Sequence, residues 1–323
     1  MAVQTTDAKE ENEDDEGGGG EEQDDHDEDE DVENEWKAVT AMRNKQIEQE
    51  AEDAKQVGII KKATESKAIA YVEALLELKL LDLTEFKDKI KVESTDGVSG
   101  LRKMSFLIFG KPKLRTKKLI DERTKVFLLA KAKLDHQSAP QTRILQTIYR
   151  LGTGDNRACP KFGSHWSALG FQGNDPGTDL RGAGLYGLLQ LLYLLENEPV
   201  LCHRILLLSR SEDQKFPFAV VSFNWTGIVL QVMREGKIFP LINNRGSVFE
   251  MLNELHTAIY YSFYLKWKND MCTIVNFGEV SKQLDKDVRK NPSVCLKQLQ
   301  RYKEEMKARS EQNSEKIEFG NSS

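Results

Sequence analysis

The start of this 323-residue chain is almost empty of apolar side chains: between Val3 and Val32 only Ala8 is one. Little there offsets the ~1–2 kcal/mol per residue that ordering a backbone costs. Four consecutive glycines, Gly17 to Gly20, add to that cost. Residues 1–35 therefore read as a disordered acidic tail. Basic side chains are missing as well. The segment holds eighteen of the 52 acidic residues and one, Lys9, of the 46 basic ones. Its charge is −17 and that of the remainder is +11, so the whole-chain value of −6 describes neither part. A polyanion repels phosphates, which excludes nucleic acid as the tail's target.

Cysteine is scarce. Cys159, Cys202, Cys272 and Cys295 form no CxxC pair, and their spacings fit no common zinc template. They read as reduced, mostly buried thiols, and no metal or cofactor is expected. Long apolar runs are lacking too. The longest, Leu185 to Leu195, is far short of the ~20 residues that span a bilayer, so no transmembrane segment is expected. The acidic N-terminus resembles neither a secretory signal nor an Arg-rich transit peptide. Ala2 excludes myristoylation, and the C-terminal GNSS offers no cysteine for prenylation. The expectation is a cytoplasmic protein. No nucleophile elbow or recognisable carboxylate pair supports a stand-alone hydrolase. The stretch GKPKLRTKK, from Gly110, lacks the spacing of a phosphate-binding loop, and Pro112 opposes the helix start such a loop needs.

What is present is helical periodicity. Few segments alternate with period two, and the fold class read from the chain is all-α. Residues 36–101 form an N-terminal helical region and linker. In it, a helix from Thr64 carries an apolar stripe of Ile69, Val72, Leu75, Leu76 and Leu80. Residues 102–118 are a basic connector with Arg102, Lys103, Lys111, Lys113, Arg115, Lys117 and Lys118. It is a candidate for peripheral contact with anionic membrane lipids. Residues 119–308 form the main core, with helices at about 118–134, 140–151, 185–195, 199–208, 216–234, 247–268, 277–287 and 292–308. Pro240 and the following NNRG read as a loop. Residues 309–323 read as a flexible tail.

One segment differs from the rest: WSALGFQGNDPGTDLRGAGL, from Trp166 to Leu185. It is polar and glycine-rich, and it runs straight into the most apolar helix. Loops fixed to a rigid core in this way often carry function. Gly182, Gly184 and Gly187 match GxGxxG, but a Pro/Asp/Asn loop precedes them where a dinucleotide site needs a hydrophobic strand. These glycines read instead as points of close helix approach. Spacing alone leaves two roles for Arg181: a salt bridge with Asp175 or Asp179 that staples the loop, or a cation presented to a partner. Trp166, Phe171 and Tyr193 read as core, and His165 as a structural histidine.

The segment resembles the signature of the ELMO domain, in the branch of small ELMO-domain-containing proteins, and most of all its third subgroup. The fixed positions Trp166, Gly170, Phe171, Gln172, Asp175, Pro176, Thr178, Asp179, Arg181, Gly182, Gly184 and Leu185 match, followed by Leu188, Leu191 and Tyr193. The flanking ILQTIYRLGTG and FPFAVVSFN are also similar to the family. The resemblance covers about residues 120–308 and implies an all-helical domain.

It also implies a GTPase-activating protein for the GTP-bound form of an Arf- or Arl-family small GTPase, a regulator rather than an enzyme on its own. The arginine matching Arg181 would be its catalytic finger, with the other motif residues as loop support and partner contact. The alternative implied is a non-catalytic adaptor in small-GTPase signalling. The larger ELMO adaptors look to lack this arginine, so its presence favours the activator. A guanidinium is permanently charged and offers five donors in a planar fork, which suits the charge that spreads over phosphoryl oxygens during GTP hydrolysis. Such a residue needs a surface loop with a rigid base. Asp179 is the candidate for holding Arg181 by a salt bridge in the free protein, and Gln172 and Thr178 are the candidates for hydrogen-bonding the loop backbone.

Overall fold

The computed structural model describes residues 68–93 and 112–320, with side chains through Arg309. The readings made for residues 1–67, 94–111 and 321–323 lie outside the described residues. All described residues fall in one unit, Lys62–Ser323. Among them every regular element is helical: α1 Tyr71–Leu80, α2 Lys117–Leu129, α3 Ala139–Thr153, α4 Gly184–Asn197, α5 Pro199–Arg210, α6 Phe218–Arg234, α7 Phe239–Arg245, α8 Val248–Asn269, α9 Phe277–Lys290 and α10 Pro292–Gly320. Short 3₁₀ turns lie at Thr84–Lys89, Ser164–Leu169, Pro176–Asp179 and Ile274–Asn276.

Two helices organise the core. In α4 every residue from Gly184 to Leu192 is buried, as a helix apolar nearly all round must be. Its one polar interior side chain, Gln190, donates to the Leu252 carbonyl (3.0 Å) and to the Tyr186 hydroxyl (3.2 Å). The second helix, α8, starts where the Ser247 hydroxyl accepts the Glu250 N–H. It packs against α2, α4, α5, α6, α7, α9 and α10. Trp225, Tyr260, Phe263 and Trp267 are fully buried there and meet in edge-on and tilted ring contacts.

Three sequence-based expectations need correction. Helix α1 does pack on the core, but by a rotated face. Tyr71, Ala74 and Leu78 are buried, whereas Val72, Leu76 and Leu80 of the expected stripe are exposed. Polar anchors set that rotation. The Tyr71 hydroxyl accepts from Asn253 (2.6 Å), and the Tyr71 N–H donates to Glu196 (2.7 Å). Just before the helix, the Ile69 N–H donates to Thr147 (2.9 Å). The second correction is at Pro240, where the expected loop is helix α7. Proline is tolerated in a first turn, and Gly246 at φ +75° closes the helix in the left-handed region. Helix α10 also extends past the expected boundary at Ala308, to Gly320.

His256 is fully buried on α8. Its Nε2 lies 3.0 Å from the Ser222 hydroxyl and 3.1 Å from the Ser222 carbonyl. Burial pushes its pKa down from 6.5 to about 4, the Ser222 hydrogen bond acting in the other direction. The folded pKa therefore lies below the unfolded one. The stabilisation is complete above pH 6.5 and is lost as pH falls toward 4, by about 3 kcal/mol in total. Urea midpoints of the wild type and His256→Leu at pH 7.5 and 4.5 check this. The wild type loses about 2–3 kcal/mol more than the variant over that interval, and equal losses would contradict it.

Candidate functional site

The loop from Trp166 to Arg181 is built on a buried aromatic base. Trp166 is fully buried, donates its indole N–H to the Lys161 carbonyl (3.1 Å), and meets Tyr149 and Phe171 edge-on at 5.4 Å each. Phe171 continues this line to Phe223 on α6. His165 is held to the Pro160 carbonyl (3.0 Å), a structural placement. Gly170 then turns the chain at φ +73°. A Cβ there would sit 2.3 Å from the Phe218 nitrogen, so only glycine lets the loop meet the start of α6.

Above this base, two carboxylates hold the backbone. Asp179 accepts the Gln172 N–H (2.6 Å), closing the loop across seven residues. Asp175 accepts the Gly177 N–H (2.8 Å) and caps the 3₁₀ turn Pro176–Asp179. Buried Pro176 opens that turn, and the Thr178 hydroxyl donates to the Asp175 carbonyl (2.8 Å). Thr178 thus bonds the loop backbone, whereas Asp179, expected to hold Arg181, bonds the Gln172 N–H instead. Gln172 takes part through its backbone, and its side chain is exposed.

Arg181 follows directly and is exposed. Its guanidinium makes no hydrogen bond or ion pair with any described residue, so the expected staple to Asp175 or Asp179 is not formed. Each carboxylate instead accepts a backbone N–H, Asp179 from Gln172 and Asp175 from Gly177. The positive charge of Arg181 still reaches Asp179. Burial raises the Asp179 carboxyl above the usual aspartate range, while the Gln172 N–H and Arg181 pull it back.

The glycines after Arg181 have different duties. Gly182 (φ +83°) faces open space, and a Cβ there would touch nothing within 4 Å. Gly184 (φ +53°) sits against α2, where a Cβ would come within 2.6 Å of the Leu129 carbonyl oxygen. At Gly187 a Cβ would meet the Ala183 Cβ at 2.7 Å and the Phe223 ring at 3.1 Å. Close approach, not a nucleotide cradle, accounts for Gly184 and Gly187.

Two contributors were not found by sequence reasoning. His136, on the α2–α3 connection, places Nε2 2.9 Å from Asp175 Oδ1. Phe162 packs its ring 4.5 Å from the His136 imidazole and is half exposed. No spacing rule joins positions 136, 162 and 175, since the contact arises only when the α2–α3 connection folds onto the loop. Of the basic connector, residues 112–118 are described. Lys113, Arg115, Lys117 and Lys118 are exposed, and Asn243 holds the Lys113 and Arg115 backbone. Among the described residues, no helix is long and apolar enough to cross a membrane.

The family model for the ELMO/CED-12 family matches residues 124–281, which includes this loop. The chain is 38% identical to ELMO domain-containing protein 3 of Bos taurus, over 72% of this chain and 61% of that protein. The values for ELMO domain-containing protein 3 of Homo sapiens are the same. ELMO domain-containing protein 2 of Mus musculus is 30% identical over 41% of this chain and 46% of its own length. The match thus spans about three fifths of the first of these relatives. No solved structure matches the chain.

The glycine geometry gives a graded prediction. Gly182→Ala costs about 1–2 kcal/mol, the strain of a left-handed backbone without a clash. Gly170→Ala costs more, because the same strain adds to a backbone collision. Urea unfolding of the two variants checks the order, and a milder effect at Gly170 would contradict it.

Proposed function

This chain belongs to the ELMO/CED-12 family through the domain at residues 124–281, and we propose that it is a GTPase-activating protein for an Arf- or Arl-family small GTPase. Arg181 is its finger. The observation that carries this reading is an exposed guanidinium without a partner among the described residues, on a loop whose own acidic groups are engaged elsewhere.

The chemistry follows from that geometry. The partner GTPase binds its nucleotide and magnesium and performs the hydrolysis, so this chain supplies no base and no metal. Arg181 extends from the loop into the partner's nucleotide pocket. There its fork donates hydrogen bonds to the oxygens that gain negative charge as the γ-phosphoryl group leaves. These bonds are stronger in the transition state than in bound GTP, and that difference accelerates the step. An arginine supplied in trans is worth roughly 10³–10⁵ in rate. The rigid base matters, because immobilising a mobile arginine at the moment of reaction would consume part of that gain. Gly182 leaves space beside the finger for the partner's surface.

A protein acting on such a GTPase works where the GTPase is attached, at a cytoplasmic membrane face. Lys113 and Arg115 add attraction to anionic lipids of about 1 kcal/mol each near the surface, while Lys117 and Lys118 are paired with Asp121 and Glu122. The adaptor alternative would leave Arg181 without a catalytic duty, and no feature of the loop favours it.

Arg181→Lys tests the finger. Lysine keeps the charge but loses the bidentate fork. In single-turnover hydrolysis with a panel of GTP-loaded Arf and Arl proteins, the variant loses about 10³-fold of the stimulated rate. Its melting temperature stays at the wild-type value, because the guanidinium holds nothing in the free protein. Full stimulation by the variant would remove the finger role, and no stimulation by the wild type for any GTPase would remove the activator reading.

A further inference from the structure

Phe162 has the only aromatic ring among the exposed large apolar side chains of the described residues, at 52% exposure. It is not a loose loop residue. Its ring lies 4.5 Å from the His136 imidazole, and His136 is fixed on its other side by Asp175 at 2.9 Å. The neighbouring Lys161 ammonium donates to the His136 carbonyl (2.5 Å), and the next N–H, of Gly163, donates to the Asn174 carbonyl (2.8 Å). The segment 161–163 is thus tied at three points to the α2–α3 connection and to the Arg181 loop. Asp175 belongs to both sides of this arrangement, since the same oxygen that meets His136 also caps the 3₁₀ turn leading to Arg181.

The separation is short on the scale of a protein interface. From Asp175 to Arg181 the chain runs through one 3₁₀ turn, with a rise of about 2 Å per residue. A stable interface covers ~800 Å² per partner, roughly 30 Å across. That width spans the path from Arg181 through Asp175 and His136 to Phe162, so one partner can cover both. Exposed aromatic rings held in one orientation lose little entropy on binding, and such rings dominate interface energetics.

We propose that Phe162, seated on His136, is the apolar anchor of the GTPase-docking surface and packs against an exposed apolar side chain bordering the partner's nucleotide pocket. This rests on the activator reading of Arg181 and divides the labour within it. Phe162 sets how tightly the GTPase docks, and Arg181 sets how fast the docked GTPase hydrolyses. His136 is a positioning residue that holds Phe162 and the Asp175 cap in one register.

The test uses the full chain and the panel of GTP-loaded Arf and Arl proteins, with two readouts: the GTPase concentration for half-maximal stimulation, and direct binding to the immobilised chain. Phe162→Ala raises the half-saturating concentration about 10–30-fold, leaves the maximal stimulated rate in place, and weakens direct binding by the same factor. Phe162→Leu, which retains apolar area, gives an intermediate shift. Because the ring is half exposed, both variants melt close to the wild type, and this is checked first. An unchanged half-saturating concentration, or a lower maximal rate with unchanged half-saturation, would overturn the anchor. If the wild type stimulates no GTPase, the activator reading fails separately. Direct binding then still decides the anchor: loss of binding in Phe162→Ala upholds it, and equal or no binding overturns it.

Discussion

Asp179 accepts the Gln172 N–H at 2.6 Å, and Asp175 accepts the Gly177 N–H at 2.8 Å. These two bonds tie the loop to its own backbone on either side of the turn that leads to Arg181. A short acidic and glycine-rich loop next to an arginine would ordinarily fold around an internal salt bridge. Here each carboxylate accepts a backbone N–H, and the exposed cation makes no bond to either. The loop is stiff and its charge is unpaired at once. A residue that must enter another protein's pocket in one geometry needs both properties.

The stiffness extends downward through packing. Trp166 and Phe171 carry the loop on an aromatic line that ends at Phe223 of α6. Gly170 brings it against the first residue of the same helix, and Gly184 brings its far end against the last residues of α2. Both ends are therefore set by contacts where even one methyl group would not fit. The buried face of α4, which begins at Gly184, locks this arrangement into the centre of the domain. The polar loop and the most apolar helix are mechanically one piece, so a displacement of the base would be felt at Arg181.

Much of this was legible in the sequence, because each helix has a period and most have a stop signal. Leu185–Leu195 read as a central helix because apolar residues surround it, and the long helix read at about 247–268 corresponds to α8. Helix α1 was placed but turned wrongly, since an apolar stripe of Val72, Leu76 and Leu80 outweighed the hydroxyl of Tyr71, whose Asn253 partner lies 182 positions away. Proline at 240 was read as a break because its position within a turn depends on where the helix begins. At the site, the Thr178 bond to the loop backbone followed from local spacing, whereas Asp175 and Asp179 bond backbone N–H groups where a salt bridge to Arg181 was expected. His136 and Phe162 did not follow from spacing, since only tertiary folding brings 136 and 162 to Asp175. Whether Arg181 pairs with Asp175 or Asp179 depends on where the folded loop directs its side chain, and spacing alone does not fix that direction.

The central claim is that Arg181 acts on the transition state rather than on the resting complex. The most direct measurement is the affinity of the full chain for its GTPase loaded with GDP and aluminium fluoride, compared with GDP alone. The fluoride complex mimics the transferring phosphoryl group, and a transition-state contact must appear as a gain in affinity for it. The account predicts a strong fluoride-dependent gain for the wild type and its disappearance in Arg181→Ala. Equal affinity for the two nucleotide states in the wild type, or a gain retained without the arginine, would contradict it.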